Sequence, residues 1–483
     1  MTRDAGQVGE LVRRPETPVN WWRPMNRWQL VRFGALAAYG IAYALWFRHH
    51  GIIIDRISVL VSVTLLLVLA HLGRPWYRWW RLALDLTLYS LMWLAYEETR
   101  GAADRLGMPI QVESVRNIDR VLFLGVDPPV WLQQRFYSPD VVRWYDVVAS
   151  VVYYTHFVVP VAVVVLLWIA DRRGWIRLMC RFATILAVAC ISFIVLPTAP
   201  PWMAAGGDRQ LRFDALEPLA RPAGRGWRHL GLDAFFHAWE TGRDWVNRVA
   251  AMPSLHAGFS LMVVLVFWPQ LRRPSWRALA LVYPLVMGVA LVYLAEHYVI
   301  DIVAGWALVV ASFWLWDRIE GRRRDRRADR ARRALGVDRP YEPADEPALL
   351  TGRRRVFVPD TAVAAAVDRD HPQHAAAVEA LADLVEEFAA GRAWLVTDAL
   401  TVADVDPVDG DTADLWAAVD RIPVPRRRRA DPPADRARRA MADEGVREIV
   451  SLDVATRPRR DATAAGDDGE ADPAAGVTAS SAD

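Results

Sequence analysis

The chain has little cysteine and almost no surplus of either charge. Its two cysteines, Cys180 and Cys190, share one apolar run. Ten helical residues would hold them about 15 Å apart, too far for a disulfide. Both read as packing residues, and the redox compartment stays open. Lys and Arg number 58 against 56 Asp and Glu, a net charge of +2. That balance by itself gives no basis for nucleic-acid binding. A cleavable leader is not apparent either. The N-terminal stretch is polar, and the first apolar run reads as a retained spanning helix.

What is present is apolar length. The chain is 53% hydrophobic yet 24% charged, which predicts an apolar part and a separate polar part. Trp is abundant at 23, and many stand near the ends of apolar runs, as in interfacial belts. Crossing a bilayer takes about 20 helical residues. Candidate spans cover 30–47, 57–72, 82–96, 144–170, 178–196, 255–270, 278–295 and 299–317. The last two form a tight helical hairpin. The fold class predicted is all-α: a multi-pass transmembrane helical bundle of about eight spans with a largely disordered cytoplasmic tail.

Arginine in the connectors sets the orientation. Arg74, Arg78 and Arg81 lie between spans two and three, Arg172, Arg173 and Arg177 between four and five, and Arg272, Arg273 and Arg277 between six and seven. Nine Arg lie between 318 and 333, and Arg13, Arg14, Arg23 and Arg27 precede the first span. All fall on one side, which should be cytoplasmic. Arg48 and Arg56 are minor exceptions. The connectors 97–143 and 197–254, and the turn holding Glu296 and His297, then lie outside.

The predicted organisation is a cytoplasmic segment 1–29, N-terminal membrane helices 30–79, a catalytic membrane domain 80–317 and an Arg-rich linker 318–354. A small cytoplasmic unit is possible over 355–422. Within it 374–390 reads as an amphipathic helix and Trp394-Leu395-Val396-Thr397 as a strand. Residues 423–483 read as disordered, because their apolar content is too low to offset chain entropy. Val356-Phe357-Val358-Pro359-Asp360-Thr361, followed by that helix, loosely resembles the opening of a PIN-type nuclease domain, with an incomplete acidic set. The plainer reading is a cytoplasmic tail.

Two motifs carry the chemistry. His297 and Asp301 are spaced i, i+4 and share a helix face. The carboxylate can accept from one ring nitrogen and leave the other free to attack. Alone, the pair could be a helix-start His with an Asp cap. Pro253-Ser254-Leu255-His256-Ala257-Gly258 supplies the second element. Pro and Ser suit a helix start, and first-turn amides form an anion site. Small Ala257 and Gly258 admit a bulky group, and His256 is placed to protonate a leaving oxygen. Together, at equivalent mouths on one face, these residues point to phosphoryl transfer. Two His and one Asp could also bind zinc or iron. Asp301 has a better use in orienting His297, so no metal or other cofactor is expected.

Pro-Ser-Leu-His at 253–256 and His-x-x-x-Asp at 297–301 resemble the second and third motifs of the type 2 phosphatidic acid phosphatase (PAP2) superfamily. Leu196-Pro197-Thr198-Ala199-Pro200-Pro201-Trp202, Ala251–Ala257 and Tyr293–Asp301 resemble its inositol phosphorylceramide synthase-like branch. The resemblance covers roughly 80–316. It implies His297 as a nucleophile that becomes a phosphohistidine, Asp301 as its orienter and His256 as general acid. It also implies lipid phosphates or phosphodiesters as substrates, with water or an alcohol as acceptor.

The chain departs from the superfamily pattern in its cations. The first motif normally carries Lys and later Arg-Pro ahead of the Ser-Leu-His element, whereas this connector begins with neutral Pro197–Trp202. The third normally carries Ser-Arg, where Ala290 and Leu291 stand here. Substrate-binding candidates are Ser254, Gly258, Arg100 and Arg209, with Arg212, Arg243 and Arg248 as further cations. Arg100 comes first because it lies at a span end. His156, mid-span, reads as an interhelical hydrogen-bonding residue. Asp146 could contact a polyol acceptor or an interface, and Asp85 reads as structural.

The expected function is a lipid phosphatase or phosphotransferase at the extracytoplasmic face, with membrane lipids as partners and no nucleic acid. An alternative is inositolphosphotransferase-type head-group transfer to a lipid alcohol. A rival of another class is a non-catalytic lipid carrier on the same fold. A second rival places a nuclease in the tail.

Overall fold

The computed structural model describes residues 12–15, 27–50, 56–74, 76–99, 102–207, 219–232, 249–337, 348–358, 360–398, 414, 416–422 and 448–451. A strand, β1 (Val12–Pro15), precedes three helices, α1 (Arg27–His50), α2 (Arg56–His71) and α3 (Trp76–Glu98). A connector with short helices α4 (Ala102–Arg105), α5 (Glu113–Leu122) and α6 (Pro128–Phe136) leads into α7 (Trp144–Ala170) and α8 (Arg172–Val195). A π-type turn at Met203–Gly207 and α9 (Arg225–His229) follow. The main chain then forms α10 (Leu255–Phe267), α11 (Pro274–Tyr293) and α12 (Val299–Ala334).

Helices occupy all eight predicted spans. Four of them, α7, α8, α11 and α12, are long and apolar enough to cross a membrane. The apolar part of α2, Leu60–His71, and the stretch Leu255–Gln270 are shorter. Helix starts follow local chemistry. Asp171 caps α8 by accepting from Gly174 N at 3.1 Å, and Pro274 opens α11 at its first turn. Three bounds differ most from the sequence reading. The third span begins at Trp76, the fifth begins at Arg172, and α12 continues well past 317. Arg and Ala are strong helix formers, and the extension buries Ala328 and Ala331 under the tail.

The bundle core has two parts. Tyr153, Tyr154, Met287, Leu291 and Ile302 join α7, α11 and α12. Leu178, Ile185, Met262, Val309 and Phe313 join α8, α10 and α12. The opposite faces stay apolar and exposed, as at Leu88, Leu94, Ile191, Val289 and Trp314. Such continuous apolar exposure suits a lipid environment.

The tail corrects the all-α expectation. It contains β2 (Arg354–Phe357), α13 (Asp360–Val367), α14 (His374–Ala389), β3 (Ala393–Asp398), β4 (Val419–Ile422) and β5 (Glu448–Ser451). The sheet order is β1-β5-β2-β3-β4. β2 runs parallel to both β3 and β5, while β1 pairs antiparallel with β5. The α13–α14 crossover makes the parallel β2–β3 pairing possible. Val356, Phe357, Leu395 and Val396 are all buried, as continuous apolar strands of a covered parallel sheet should be. β5 lies inside 423–483, so that segment is not wholly unstructured. Four residues, Glu448–Ser451, are enough for a strand, and the average composition of the segment concealed them.

The tail unit docks on the Arg-rich end of the bundle. Arg177 donates to the carbonyls of Leu349 (2.5 Å) and Leu350 (3.0 Å), and Arg355 pairs with Asp171 at 2.9 Å. Arg181, with no exposed surface, binds Asp317 at 2.5 Å and Glu320 at 2.7 Å. His297 and Asp301 stand at the other end of the 36-residue α12, about 25–30 Å from Asp317 and Glu320 by helical rise.

Candidate active site

The two motif histidines meet. His297 Nε2 lies 3.4 Å from His256 Nδ1, and the ring centroids are 5.4 Å apart. Sequence separation of 41 residues is overcome by a close crossing of α10 on α12. Ser254 N donates to Asp301 O at 2.9 Å, and Trp306 Nε1 donates to Ala257 O at 3.1 Å. A side chain at Gly305 would come within 2.2 Å of Ser254 O. Only glycine permits that contact.

Asp301 is fully buried behind His297. Its Oδ2 lies 3.5 Å from His297 Nδ1 and accepts from Tyr298 N at 2.9 Å. Thus the carboxylate both faces the imidazole and helps start α12. His297 Nδ1, Asp301 Oδ1 and His256 Nε2 are buried without hydrogen-bond partners. Unsatisfied buried polar groups are uncommon in native folds, and a catalytic role is one reason to keep them.

A cation that the sequence reading did not single out is bound to the residue before His297. Arg221 grips Glu296, the neighbour of His297, and its guanidinium carbon lies 4.1 Å from the Trp202 ring centroid. Its loop is fixed by Gln133, which donates to the carbonyls of Ala220 and Tyr293, both at 2.9 Å. The neutral segment Pro197–Trp202 therefore supplies the ring under the arginine, and Trp202 N donates to Ala295 O at 3.0 Å. Arg221-Pro222 is itself an Arg-Pro pair, the signal that could have revealed it.

Other candidates fall elsewhere. Arg100, Arg209, Arg212, Arg243 and Arg248 lie outside the described residues. Ser254 is fully buried, and its hydroxyl accepts from Ala257 N at 3.3 Å as the α10 cap. Gly258 was expected to admit a ligand. Instead it admits α12, since a side chain there would meet Gly305 O at 3.3 Å. Asp146 is an interface residue: it accepts from Tyr293 Oη at 2.5 Å and Arg143 N at 2.8 Å. Asp85 pairs with Arg172 and accepts from Trp168 Nε1 at 3.0 Å, a structural role. His156 does not make the expected interhelical hydrogen bond. Its Nδ1 is unpartnered, and the ring packs 4.0 Å from His256 and 5.5 Å from Phe259. Cys180 and Cys190 are free. Among the described residues, no group of three His, Cys, Asp or Glu side chains is placed to hold a metal ion.

Residues 114–315 match the family model of the PAP2 superfamily. This match and the relative below support a phosphoric ester hydrolase or phosphotransferase of the membrane, similar to the PAP2 superfamily over that stretch. The chain is similar to the phosphoinositol dihydroceramide synthase of Bacteroides thetaiotaomicron, with 26% identity over 266 residues, covering 54% of this chain and 84% of the relative. That similarity agrees with the synthase-like branch. No solved structure matches the chain.

Proposed function

We propose that this protein cleaves or transfers a phosphate-linked lipid head group through a phosphohistidine at His297, on the extracytoplasmic face. The observation that carries this is the meeting of His297 Nε2 and His256 Nδ1 at 3.4 Å, with Asp301 behind the first ring. Neutral His297 attacks phosphorus through Nε2, forming an N–P bond. The P–O bond to the leaving alkoxide breaks, and that oxygen takes a proton from His256. In the second half, His256 takes a proton from water or an alcohol, whose oxygen displaces His297. Asp301 stabilises the positive charge on the His297 ring. Arg221, bound to the residue before His297, is the cation proposed for the equatorial oxygens.

At 3.4 Å the two nitrogens leave no room for a phosphoryl group. Reacting atoms stand about 3–3.5 Å apart before transfer, so the rings must part as substrate enters.

Sidedness rests on the ends of α12. The Arg-rich end carries the tail unit, and β1 from the N-terminus shares its sheet. With both termini on the Arg-rich, cytoplasmic side, the histidines open outward. The head-group transfer reading is favoured over simple hydrolysis by the relative's description as a phosphoinositol dihydroceramide synthase.

The test is incubation of purified full-length protein with labelled lipid phosphates and phosphoinositides, with and without a lipid alcohol. The wild type should form an acid-labile phosphohistidine. His297→Ala should abolish it, and His256→Ala should lower turnover about 10²–10⁴-fold. Turnover by His297→Ala at the wild-type rate would remove the mechanism. Product appearing only with the lipid alcohol would mark a transferase.

A further inference from the structure

The outer connector holds a carboxylate not used in the reaction above. Asp119, on α5, has no exposed surface. Its Oδ2 accepts from Val299 N at 2.7 Å and its Oδ1 from Ile300 N at 2.9 Å. These amides open α12, directly after His297-Tyr298. Asp301 takes the adjoining amide, Tyr298 N, at 2.9 Å. The start of α12 is therefore held by two buried carboxylates, one its own and one brought from about 180 residues upstream.

Buried first-turn amides without acceptors are unfavourable, so each needs a partner. A cap from within a helix satisfies an amide. A cap from another segment also fixes where the helix begins in space. That turn aims His297 at His256 and carries Asp301 one turn on.

We propose that Asp119 is a positioning residue for phosphoryl transfer: as a carboxylate it clamps the first turn of α12 with His297 and Asp301 in reacting register, and protonation releases the clamp. This rests on His297 being the nucleophile.

The surroundings make Asp119 titratable in an accessible range. Tyr298 and Asp301 face it from α12, and Asp127 faces it from the α5–α6 turn. Arg116, the nearby cation, is committed to Asp127 at 2.5 Å. Burial first, then the charges of Asp301 and Asp127, push Asp119 up to about 6, against the downward pull of its two amide bonds. Both oxygens face N–H donors. A protonated carboxyl donates from one of them, and that hydroxyl oxygen is a poorer acceptor, so one amide bond is weakened.

Stability and activity then move in opposite directions. The folded state holds this proton above the range where the unfolded chain releases it. The group's stabilising contribution is present in acid and is lost as pH rises through about 6. Turnover should instead fall as pH drops through that value. A cap with only a structural role would not separate the two.

The experiment uses the full chain in detergent micelles, wild type and Asp119→Asn, from pH 5 to 8. Fragment-resolved hydrogen exchange, corrected for intrinsic rate, reads the amides of Val299 and Ile300. In the wild type their protection should drop on acidification through about 6, without a fall in melting temperature. Asp119→Asn keeps the shape but offers one acceptor, so protection should be low and lack the step. With labelled lipid phosphate, wild-type kcat should show the same acid limb with KM unchanged. Asp119→Asn should be about 10–10²-fold slower and lack that limb. An acid limb that persists in Asp119→Asn belongs to the histidines and overturns the proposal, as does wild-type exchange in that variant. If Asp119→Asn does not fold, the wild-type exchange profile decides alone. A clear exchange step in a protein that forms no phosphohistidine at any pH overturns the reaction assignment, and the positioning role with it, while leaving the clamp itself in place.

Discussion

Arg221 holds both oxygens of Glu296, at 2.6 and 3.0 Å, and Glu296 immediately precedes His297. The sole cation seen against the candidate site, among the described residues, is thus tied to the chain position that aims the nucleophile. A phosphate entering the site would compete with Glu296 for the guanidinium.

Arg221→Ala should lower kcat about 10²–10³-fold, the range for losing a preorganised donor to a transition-state oxyanion. Arg221→Lys should rescue poorly, because an ammonium cannot reproduce the planar fork. Glu296→Gln should weaken competition for the guanidinium and lower KM for lipid phosphate. Steady-state kinetics on the three variants checks the set.

Gly305 sets the convergence of the histidines. In Gly305→Ala the new methyl would stand 2.2 Å from Ser254 O, a backbone atom that cannot turn aside. The variant should lose activity and at least about 1–3 kcal/mol of stability, the usual range for overpacking. Gly258→Ala meets Gly305 O only at 3.3 Å and should be milder. Thermal melts paired with turnover distinguish them.

The tail should be dispensable for chemistry when the cut respects α12. A chain ending after Val337 keeps Glu320, which binds Arg177 and Arg181, and should retain head-group activity. A cut at Arg318 removes Glu320 and leaves Arg181 buried with one partner fewer. Glu320→Gln in the full chain should destabilise by about 3–5 kcal/mol, as breaking a buried ion pair does. Activity confined to the isolated tail would contradict the membrane-domain assignment.

Orientation can be read by labelling. With Cys180 and Cys190 replaced by Ala, a cysteine at Gly206→Cys should react with an impermeant maleimide on intact cells. A cysteine at exposed Arg369→Cys in the tail unit should react only after lysis. The reverse pattern would place the histidines on the cytoplasmic side.

Much of the membrane domain was legible because its signals are local. Apolar runs at 144–170 and 299–317 announce helices by length alone. Ser254 and Asp301 announce helix starts by residue type. Arg221 was less legible. Its one local mark is the Pro222 that follows it, and its role shows only through Gln133, Trp202 and Glu296, from three separate segments. The tail sheet was obscure for a different reason. Strands of four residues are too short for periodicity, and β5 needs β1 and β2 to pair with.

The order of residues alone determined that helices of membrane length form, where their caps lie, and that two imidazoles and a carboxylate stand at helix mouths. Those properties depend on neighbours within a few turns. Only the folded chain decided that Gly305 lets α10 close on α12, that Glu296 holds an arginine, and that Asp119 reaches the amides beside His297. Each is a contact across tens to hundreds of residues, and its energy exists only once burial has excluded water from both partners.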